Sequence, residues 1–400
     1  MTTYNFDKIT NRKGTNCLKY DFAVERGKPA DVLPLWVADM DFPVSEEITK
    51  SLHAAVEHGI YGYTQPKDAY YNAVMNWMER NHNWKTEREW IVKTPGVVFA
   101  LGAAVKAFTD PGDAILIQNP VYYPFTNIIR DNDRRVVDNT LIYEKTAGQS
   151  GDNGYRIDFE DFERKLEQEH IKLFILCNPH NPVGRVWTVE ELQQLGEICL
   201  RHHVIVVSDE IHNDFVYPGY EHTVFATVDP RFAEFTVTCT APSKTFNLAG
   251  LQISNIFIPN EKLRKAFQTE IDKTGYDEPN ALGIVACEAA YRAGEDWLDQ
   301  LRAYLLKNLN FLRNFLQEKI PQIHLVEPEG TYLVWLDCSE LGITGKELDQ
   351  FIVDKAGLWL DGGSMFGPSG AAFQRVNIAC PQATLELALN KLKAAVDNLE

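Results

Sequence analysis

The amino-acid sequence predicts an α/β protein: a larger domain built on a mostly parallel sheet covered by helices, and a smaller α+β domain. Between residues 67 and 260, short apolar runs alternate with amphipathic stretches, as in parallel sheets that helices cover on both faces. After about residue 290 a long helical stretch precedes separate strands and helices. We expect residues 45–290 to form the larger domain, and residues 1–44 with 291–400 to form the smaller one.

The N-terminal segment predicts an irregular arm followed by a well-marked helix. The stretch 35–43, LWVADMDFP, crowds aromatic and acidic residues next to prolines, which favours an ordered segment packed on another surface. Ser45 can then cap a helix in which Ile48, Leu52 and Val56 repeat at every fourth position.

The larger domain is predicted to contain six buried strands. They share an apolar, β-branched character and are the runs 90–92, 114–118, 171–177, 204–208, 235–239 and 255–258. Helices are predicted over 68–81 and 188–202, and Thr188 with Glu191 forms a capping box at the start of the second.

The smaller domain is predicted from the residues after 290. A helix is expected over 297–319, with strands over 323–326 and 332–336. Thr344 and Glu347 predict a second capping box, and the chain is expected to end in a helix from about residue 384.

Composition limits the possible partners. The formal charge is −17, from 39 basic and 56 acidic residues, so nucleic acid is not an expected partner. The start of the chain lacks the apolar core of a signal peptide, and no stretch is long enough to span a membrane. The cysteines are odd in number and form no CxxC pair, which indicates a reducing compartment; they are Cys17, Cys177, Cys199, Cys239, Cys287, Cys338 and Cys380. We therefore expect a cytoplasmic protein without a membrane segment.

Polar groups follow several of the predicted strands where each strand ends. Asn181 lies in the loop NPHNPVG, Asp209 in SDEIH, and Lys244 follows the strand 235–239. Gly96 lies in TPGVV, where a proline–glycine turn opens into a helix and offers unpaired N–H groups to an anion. The carboxyl ends of parallel strands meet at one edge of the sheet, where ligands bind in such folds. We expect these groups to share one site.

Each of these features also has a purely structural interpretation. Lys244 alone could be a surface lysine, and Asn-Pro pairs often form structural turns. Asp209, His212 and Asp214 are close enough to suggest a metal site, but no second histidine-rich motif accompanies them, so we expect no metal. A carboxylate buried at the end of an apolar strand needs a cationic partner, and a protonated heterocyclic nitrogen suits it better.

Taken together, an amine nucleophile, a buried carboxylate, a neutral amide and an anion site are the groups that pyridoxal phosphate requires. The motifs NPHNPVG, SDEIH and SKTFNLAGL resemble those of fold-type I pyridoxal-phosphate enzymes, the class I/II aminotransferase family. WVADMDF, YGYT, TPGVV, PVYYPF and APSKTFNLAGLQ further resemble its cystathionine β-lyase (C–S lyase) branch of MalY/PatB type. The resemblance spans the chain and implies pyridoxal 5′-phosphate as cofactor.

The resemblance assigns roles around the cofactor ring. Lys244 would form the Schiff base and move the substrate α-proton, so it is the expected catalytic residue. Asp209 would pair with the pyridine nitrogen, Asn181 would donate to the phenolic oxygen, and Tyr122 would stack on the ring and contact substrate. His212 stands where many members have a tyrosine near that oxygen, and is counted with the cofactor-binding residues.

The resemblance also assigns residues to the cofactor phosphate. The backbone N–H groups of Val97 and Val98, with Ser243 and Thr240, would hold the phosphate. Tyr63, or less favourably Tyr61, would reach the phosphate of a neighbouring subunit, which implies a homodimer.

Two further positions concern the substrate carboxylate and the cofactor phosphate. Arg375, in FQRVNIACP, would bind the substrate α-carboxylate; without the resemblance, a surface ion pair is the simpler interpretation. Gln252 stands where many members have a phosphate-binding arginine, a departure that resembles the lyase branch.

The resemblance implies β-elimination from cystathionine, cysteine or related S-conjugates to thiol, pyruvate and ammonia. An aminotransferase shares the cofactor-binding motifs and is the main alternative. A regulatory protein that binds the cofactor without turnover is the alternative from another class. Neither motif nor spacing selects one sulfur amino acid as the substrate.

Overall fold

The computed structural model describes residues 2–145 and 153–399. Its centre is a seven-stranded sheet with strands in the spatial order Ile91–Thr94, Ser254–Phe257, Thr236–Thr240, Ile205–Asp209, Leu173–Cys177, Ala114–Ile117 and Arg135–Asp138. Five neighbouring strands, from Thr236–Thr240 to Arg135–Asp138, run parallel. Ser254–Phe257 runs antiparallel to both of its neighbours. The predicted α/β fold with a mostly parallel sheet is confirmed.

Helices cover both faces of this sheet. Two apolar clusters fill the spaces between sheet and helices. One face carries Val97–Phe108, Pro124–Asp131 and Glu261–Asp272, and the other carries Phe159–Gln168 and Val189–Arg201. Because both faces are covered, the central strands are apolar on both sides; all five residues of Leu173–Cys177, for example, are buried.

Three more helices pack together at one side of this layer. They share a third apolar cluster with the C-terminal part of the chain and are Glu46–His58, Asp68–His82 and Ala281–Ala293. Ser45 caps the first of them, since its hydroxyl accepts from the backbone N–H of Ile48. The predicted apolar repeat fades along this helix: Ile48 is buried, whereas Val56 is half exposed.

The C-terminal part contains a four-stranded antiparallel sheet. Its strands follow the order His324–Val326, Leu333–Asp337, Phe373–Asn377 and Asp361–Gly362. The accompanying helices are Glu295–Lys319, Gly345–Gln350, Phe351–Lys355 (a π-helix) and Gln382–Val396. The division into domains at residues 44 and 290 stays a prediction.

The N-terminal arm packs on this C-terminal part. Leu33–Pro34 pairs in parallel with Leu358–Trp359, and the rings of Trp36 and Trp359 stack with centroids 4.4 Å apart. The side chain of Asn247, just after Lys244, accepts from the N–H of Met40 at 3.0 Å. The arm therefore lies between the C-terminal sheet and the loop that carries the lysine.

Some local predictions were wrong or incomplete. The capping box at Thr188 and Glu191 is confirmed, but Thr344 makes no side-chain cap to its helix, so the second capping box was wrong. The edge strand Arg135–Asp138 was not predicted, because its two valines stand between charged residues and do not form the longer apolar run of a central strand.

The remaining short elements connect these layers. The strands Ile142–Tyr143 and Tyr155–Arg156 pair antiparallel. Short α-helices are Leu18–Asp21 and Pro242–Thr245; 3₁₀ turns are Arg88–Trp90, Phe225–Thr227, Phe232–Phe235, Ala249–Leu251, Ser339–Leu341, Gly363–Phe366 and Pro368–Gly370. None of the helices in the described part of the chain is long and apolar enough to cross a membrane.

Candidate active site

A cavity of about 170 Å³ lies where the parallel strands end. It lies at the edge of the sheet where the sequence places the predicted site. Among its lining residues are eight that the sequence predicted for the site: Val97, Val98, Tyr122, Asn181, Asp209, His212, Ser243 and Lys244. Strands far apart in the sequence supply these groups, and their parallel arrangement brings their carboxyl ends to one edge.

Lys244 lies in the short helix Pro242–Thr245, directly after the strand Thr236–Thr240. Its Nζ donates to the backbone oxygen of Ala38, at 2.9 Å. Burial, with the nearby Arg375 guanidinium, lowers the pKa of Lys244 to about 8. A much larger fraction of this amine is therefore neutral and nucleophilic near neutral pH than for an exposed lysine.

Asp209 ends the strand Ile205–Asp209 and is almost fully buried. Its Oδ1 accepts from the backbone N–H of Ile211 at 3.2 Å, and no arginine or lysine forms an ion pair with it in the part of the chain that the structure describes. Burial raises the pKa of Asp209 to about 7, although the Lys244 charge acts in the opposite direction. Because this buried carboxylate lacks a cationic partner from the described residues, a ligand that carries a positive charge would bind favourably beside it.

Asn181 and His212 supply neutral groups to the cavity. The Oδ1 of Asn181 accepts from Nη1 of Arg375 at 2.9 Å, which leaves the amide N–H groups of Asn181 for another acceptor. Burial holds the pKa of His212 well below its usual value, so this imidazole is neutral. Its Nδ1 has no hydrogen-bond partner among the residues described.

The anion site predicted at Gly96 lies at the start of the helix Val97–Phe108. No side chain caps this helix, so its first N–H groups remain available to a ligand. Ser243 also lines the cavity. Thr240 does not: its hydroxyl donates to the backbone oxygen of Asn255 at 3.0 Å, so the suggestion that it helps to hold phosphate is not supported.

Arg375 lies beside the cavity on the strand Phe373–Asn377 and is buried. Its Nη2 donates to the backbone oxygen of Trp36 at 3.1 Å and to the carboxylate of Asp361. Its Nε has no partner among the residues described. The alternative of a surface ion pair was wrong, because both members of the pair are buried.

Three contacts at the site were not predicted from the sequence. Asp361 pairs with Arg375, while the backbone oxygen of Ala38 accepts from both Lys244 and the Tyr332 hydroxyl. Asp361 is one residue of a two-residue strand, and a backbone oxygen has no sequence signature. Only the tertiary fold could reveal these contacts.

Tyr61, Tyr63 and Gln252 lie outside this cavity. Tyr63 is 95% exposed and Tyr61 60%, so within one chain neither contacts the groups described above. Gln252 is exposed at a turn, with a left-handed φ of 52°. The role predicted for Tyr63 in a neighbouring subunit stays a prediction.

Asp214 points to different partners from those of Asp209. It accepts from the hydroxyl of Thr245 at 2.6 Å and the indole of Trp77 at 3.2 Å, and it contacts His82 at 3.0 Å. Across residues 2–145 and 153–399, no group of three or more histidine, cysteine or acidic side chains could hold a metal ion.

Comparison with known proteins decides the family. The model of the family "Aminotransferase class I and II" matches residues 30–392. The chain belongs to this family.

The chain is similar to relatives and solved structures that are named as lyases or belong with the MalY/PatB proteins. The chain is 46% identical to cystathionine beta-lyase PatB of Bacillus subtilis over 392 residues, covering 98% of this chain and 100% of that protein. It is 31% identical to the protein MalY of Escherichia coli over 385 residues, 96% of each. The crystal structure of cystalysin from Treponema denticola, which contains pyridoxal 5′-phosphate, matches with a TM-score of 0.95 at 37% identity and covers both chains fully.

The residues of this family member fit pyridoxal phosphate. Asp209 is a buried carboxylate without a cation from its own chain, as a protonated ring nitrogen requires. Lys244 offers a largely desolvated amine, and the uncapped helix start at Val97 offers N–H groups to a phosphate. The donor set therefore matches the charge of each part of the cofactor.

Proposed function

We propose that this chain is a pyridoxal-phosphate-dependent carbon–sulfur β-lyase. Its substrates would be cystathionine, cysteine or related cysteine S-conjugates, and its products a thiol, pyruvate and ammonia. The observation that carries the proposal is the joint presence, in one cavity, of the Lys244 amine and the unpaired Asp209 carboxylate. The similarity to proteins named cystathionine beta-lyase supports elimination over amino transfer.

Each residue has a defined task in this proposal. When bound, pyridoxal phosphate supplies an electron-withdrawing ring that stabilises negative charge at the substrate Cα. Asp209 keeps the ring nitrogen protonated, and Asn181 donates to the phenolic oxygen through its free amide N–H groups. The backbone N–H groups of Val97 and Val98, with Ser243, hold the phosphate.

On the substrate side, Arg375 binds the α-carboxylate and Lys244 moves the proton. The guanidinium of Arg375 is fixed by Asp361 and by the backbone oxygen of Trp36, so little rotamer entropy is lost on binding. Lys244 takes the proton from Cα as a general base. Tyr122 covers the cavity beside them.

The overall reaction balances with water as the only co-reactant. The Cα–H and Cβ–S bonds break, and the sulfur leaves with the bonding electron pair and acquires a proton. The remaining unsaturated amine takes up water to give pyruvate and ammonia. No keto acid is consumed, which separates this reaction from amino transfer.

The product analysis tests the proposal directly. Purified holoenzyme with cystathionine is expected to release thiol and pyruvate in equal amounts without an added keto acid. Activity that appears only with a keto-acid acceptor would establish an aminotransferase instead. Full cofactor occupancy without turnover of any sulfur amino acid would indicate a regulatory protein.

We also propose a homodimer and a cytoplasmic location. Tyr63 is almost completely exposed, as expected for a side chain that completes the site of a second subunit. None of the seven cysteines forms a disulfide, which agrees with a reducing compartment. Sedimentation of the holoenzyme and a Tyr63→Phe variant with a raised cofactor dissociation constant would support the dimeric site.

A further inference from the structure

The turn that carries Lys244 is short and uncapped. The helix Pro242–Thr245 has four residues, and no side chain caps its start. The backbone N–H of Phe246 donates to the backbone oxygen of Pro242 at 2.9 Å. So short a helix is not stable by itself, and the direction in which it presents Lys244 therefore depends on contacts with the rest of the chain.

Asp214 binds this turn directly beside the lysine. Its Oδ2 accepts a hydrogen bond from the hydroxyl of Thr245 at 2.6 Å, and both side chains are buried. Neither residue lines the cavity that Lys244 lines. The bond therefore fixes the backbone next to Lys244 from outside the cavity.

The helix Asp68–His82 holds Asp214 from the other side. The indole Nε1 of Trp77 donates to Oδ1 of Asp214 at 3.2 Å, and Nε2 of His82 contacts the same oxygen at 3.0 Å. The Trp77 ring also packs edge-on against Phe246, with centroids 5.4 Å apart. The two residues that follow the lysine are thus both anchored to a buried assembly of Asp214 and Trp77.

Asp214 is also a charged acceptor. Burial acts to raise the pKa of Asp214, but His82, Arg302 and the Thr245 hydroxyl outweigh it and hold this pKa below its ordinary value. The Nε of Arg302, on the helix Glu295–Lys319, donates to the backbone oxygen of Asp214 at 2.7 Å. Hydrogen bonds to an ionised carboxylate are about twice as strong as those between neutral groups. Asp214 therefore holds the Thr245 hydroxyl firmly.

The amine end of Lys244 is held in a different way. Its Nζ donates to the backbone oxygen of Ala38 at 2.9 Å, and this bond must break whenever the amine moves to another atom. The bond between Asp214 and Thr245 acts on the backbone and can persist during such a movement. It is therefore suited to keep the turn in place while the amine works.

We propose that Asp214 is a positioning residue for Lys244, because it fixes the lysine's turn through the hydroxyl of Thr245. A fixed backbone limits the amine to positions from which it reaches Cα of the substrate. A misplacement of about 1 Å can lower the rate about a hundredfold. This inference rests on the proposed lyase function and adds to it a residue outside the cavity.

Thr245→Val tests the bond, since it removes the hydroxyl but keeps a side chain of similar shape. In the holoenzyme with cystathionine, kcat for pyruvate release is expected to fall about tenfold to thirtyfold. KM should change less than about twofold, because Arg375 and not the turn would bind the substrate carboxylate. Thr245→Ser keeps the hydroxyl and should recover most of kcat. The control Thr236→Val removes another buried hydroxyl, which donates to the backbone oxygen of Phe232 at 2.6 Å, and should leave kcat unchanged.

A double-mutant cycle shows whether the effect passes through Asp214. Asp214→Asn is expected to lower kcat by a similar factor, and Thr245→Val in that background should lower it further by less than about twofold. Factors that simply multiply would mean that Thr245 acts without Asp214, and would contradict the inference. If Asp214→Asn does not fold, the comparison of Thr245→Val with Thr245→Ser and Thr236→Val decides alone.

A second measurement needs neither cofactor nor substrate. Acetic anhydride modifies neutral amines, so the pH midpoint for modification of Lys244 in cofactor-free protein, quantified by mass spectrometry, reports its pKa. Burial and the Arg375 charge lower the pKa of Lys244 to about 8, whereas Asp39 and Asp209 act to raise it. A loosened turn lets water reach the amine, so the midpoint should lie higher in Thr245→Val, towards the ordinary 10.5. It should stay unchanged in the buried control.

The outcomes separate this inference from the function on which it rests. Wild-type kcat and an unchanged midpoint in Thr245→Val would overturn the inference. Equal changes in Thr236→Val would also overturn it, because they would trace the effect to lost stability. If wild type eliminates no sulfur amino acid, the lyase proposal fails. A midpoint raised in Thr245→Val alone would then still show that this hydroxyl positions Lys244.

Discussion

Two buried aspartates on opposite sides of the site differ in whether the protein itself supplies a cationic partner. Asp209, at the end of a central strand, receives one backbone N–H and no cation among the described residues. Asp361, in the C-terminal sheet, pairs with the buried Arg375. Burial raises the pKa of both carboxyl groups. On the proposed cofactor side, a buried carboxylate is left for a ligand to pair with, whereas on the proposed substrate side Asp361 and Arg375 already neutralise each other.

This comparison explains how one cavity can hold both molecules. A cofactor that stays bound can provide the cation that Asp209 lacks, and the carboxylate then holds the ring in place. A substrate must leave again, and in the proposed function its carboxylate would meet an arginine already fixed by Asp361 and the arm. Preformed binding groups lose little entropy when substrate arrives.

The largest effect is expected for Lys244→Ala on the cofactor side. Removing the amine deletes the proton-transferring group, so we expect kcat/KM to fall at least about 10³-fold. The visible absorbance of the holoenzyme should also be lost or displaced. The matched control is Lys106→Ala, at an exposed position on the helix Val97–Phe108. Normal turnover by Lys244→Ala would show that Lys244 is not the catalytic residue.

The next effect concerns stability and pH. In cofactor-free protein, Asp209 has a pKa of about 7, against an ordinary value of 3.8. The folded protein therefore favours the protonated carboxyl group. This contribution to the free energy of unfolding is fully present below pH 3.8 and is lost as the pH rises to about 7. Asp209→Asn should become the more stable protein across this range, by up to about 4 kcal/mol at pH 8, since one pKa unit is about 1.4 kcal/mol.

Denaturant unfolding of both cofactor-free proteins between pH 4 and 8 measures this difference. A difference that stays constant with pH would show that Asp209 is not desolvated in the folded chain. With cofactor bound the order should reverse, because the variant loses the partner of the ring nitrogen.

Asp361→Asn should have the opposite effect on stability. It leaves the buried Arg375 without its anion, and breaking a buried pair in this way costs about 3 kcal/mol of unfolding free energy. Urea unfolding at pH 8 measures the loss, with Asp354→Asn as the exposed control. A change of less than about 0.5 kcal/mol would mean that the pair is neutral for stability.

The two sides of the site also differ in what the sequence could predict. Asn181, Asp209 and Lys244 each lie at the end of an apolar run, and the parallel sheet brings such ends together. Their common cavity therefore followed from local pattern and sheet geometry. Their separate roles came from the family resemblance. The residue types alone were compatible with either a structural or a catalytic role.

The substrate side could be predicted only in part. Arg375 was assigned through the resemblance. Its partner Asp361 comes from a two-residue strand 14 residues away, and its partner Trp36 comes from the arm, 339 residues away. Such contacts depend on tertiary packing and have no periodic signal. Ala38 contributes only a backbone oxygen, which no sequence pattern marks.

The smallest expected effect is that of Arg375→Lys, which tests whether the preformed fork matters more than the charge. A lysine keeps the positive charge near Asp361, but its three N–H donors lie on one nitrogen and cannot span Asp361, Asn181, Trp36 and a substrate carboxylate as the planar guanidinium does. We expect KM for the amino-acid substrate to rise about tenfold while kcat changes little, since binding in the ground state and the transition state is weakened alike. Steady-state kinetics on the holoenzyme measures both constants. A fall in kcat with unchanged KM would instead place Arg375 in the proton-transfer step, and the division of tasks between the two sides would no longer hold.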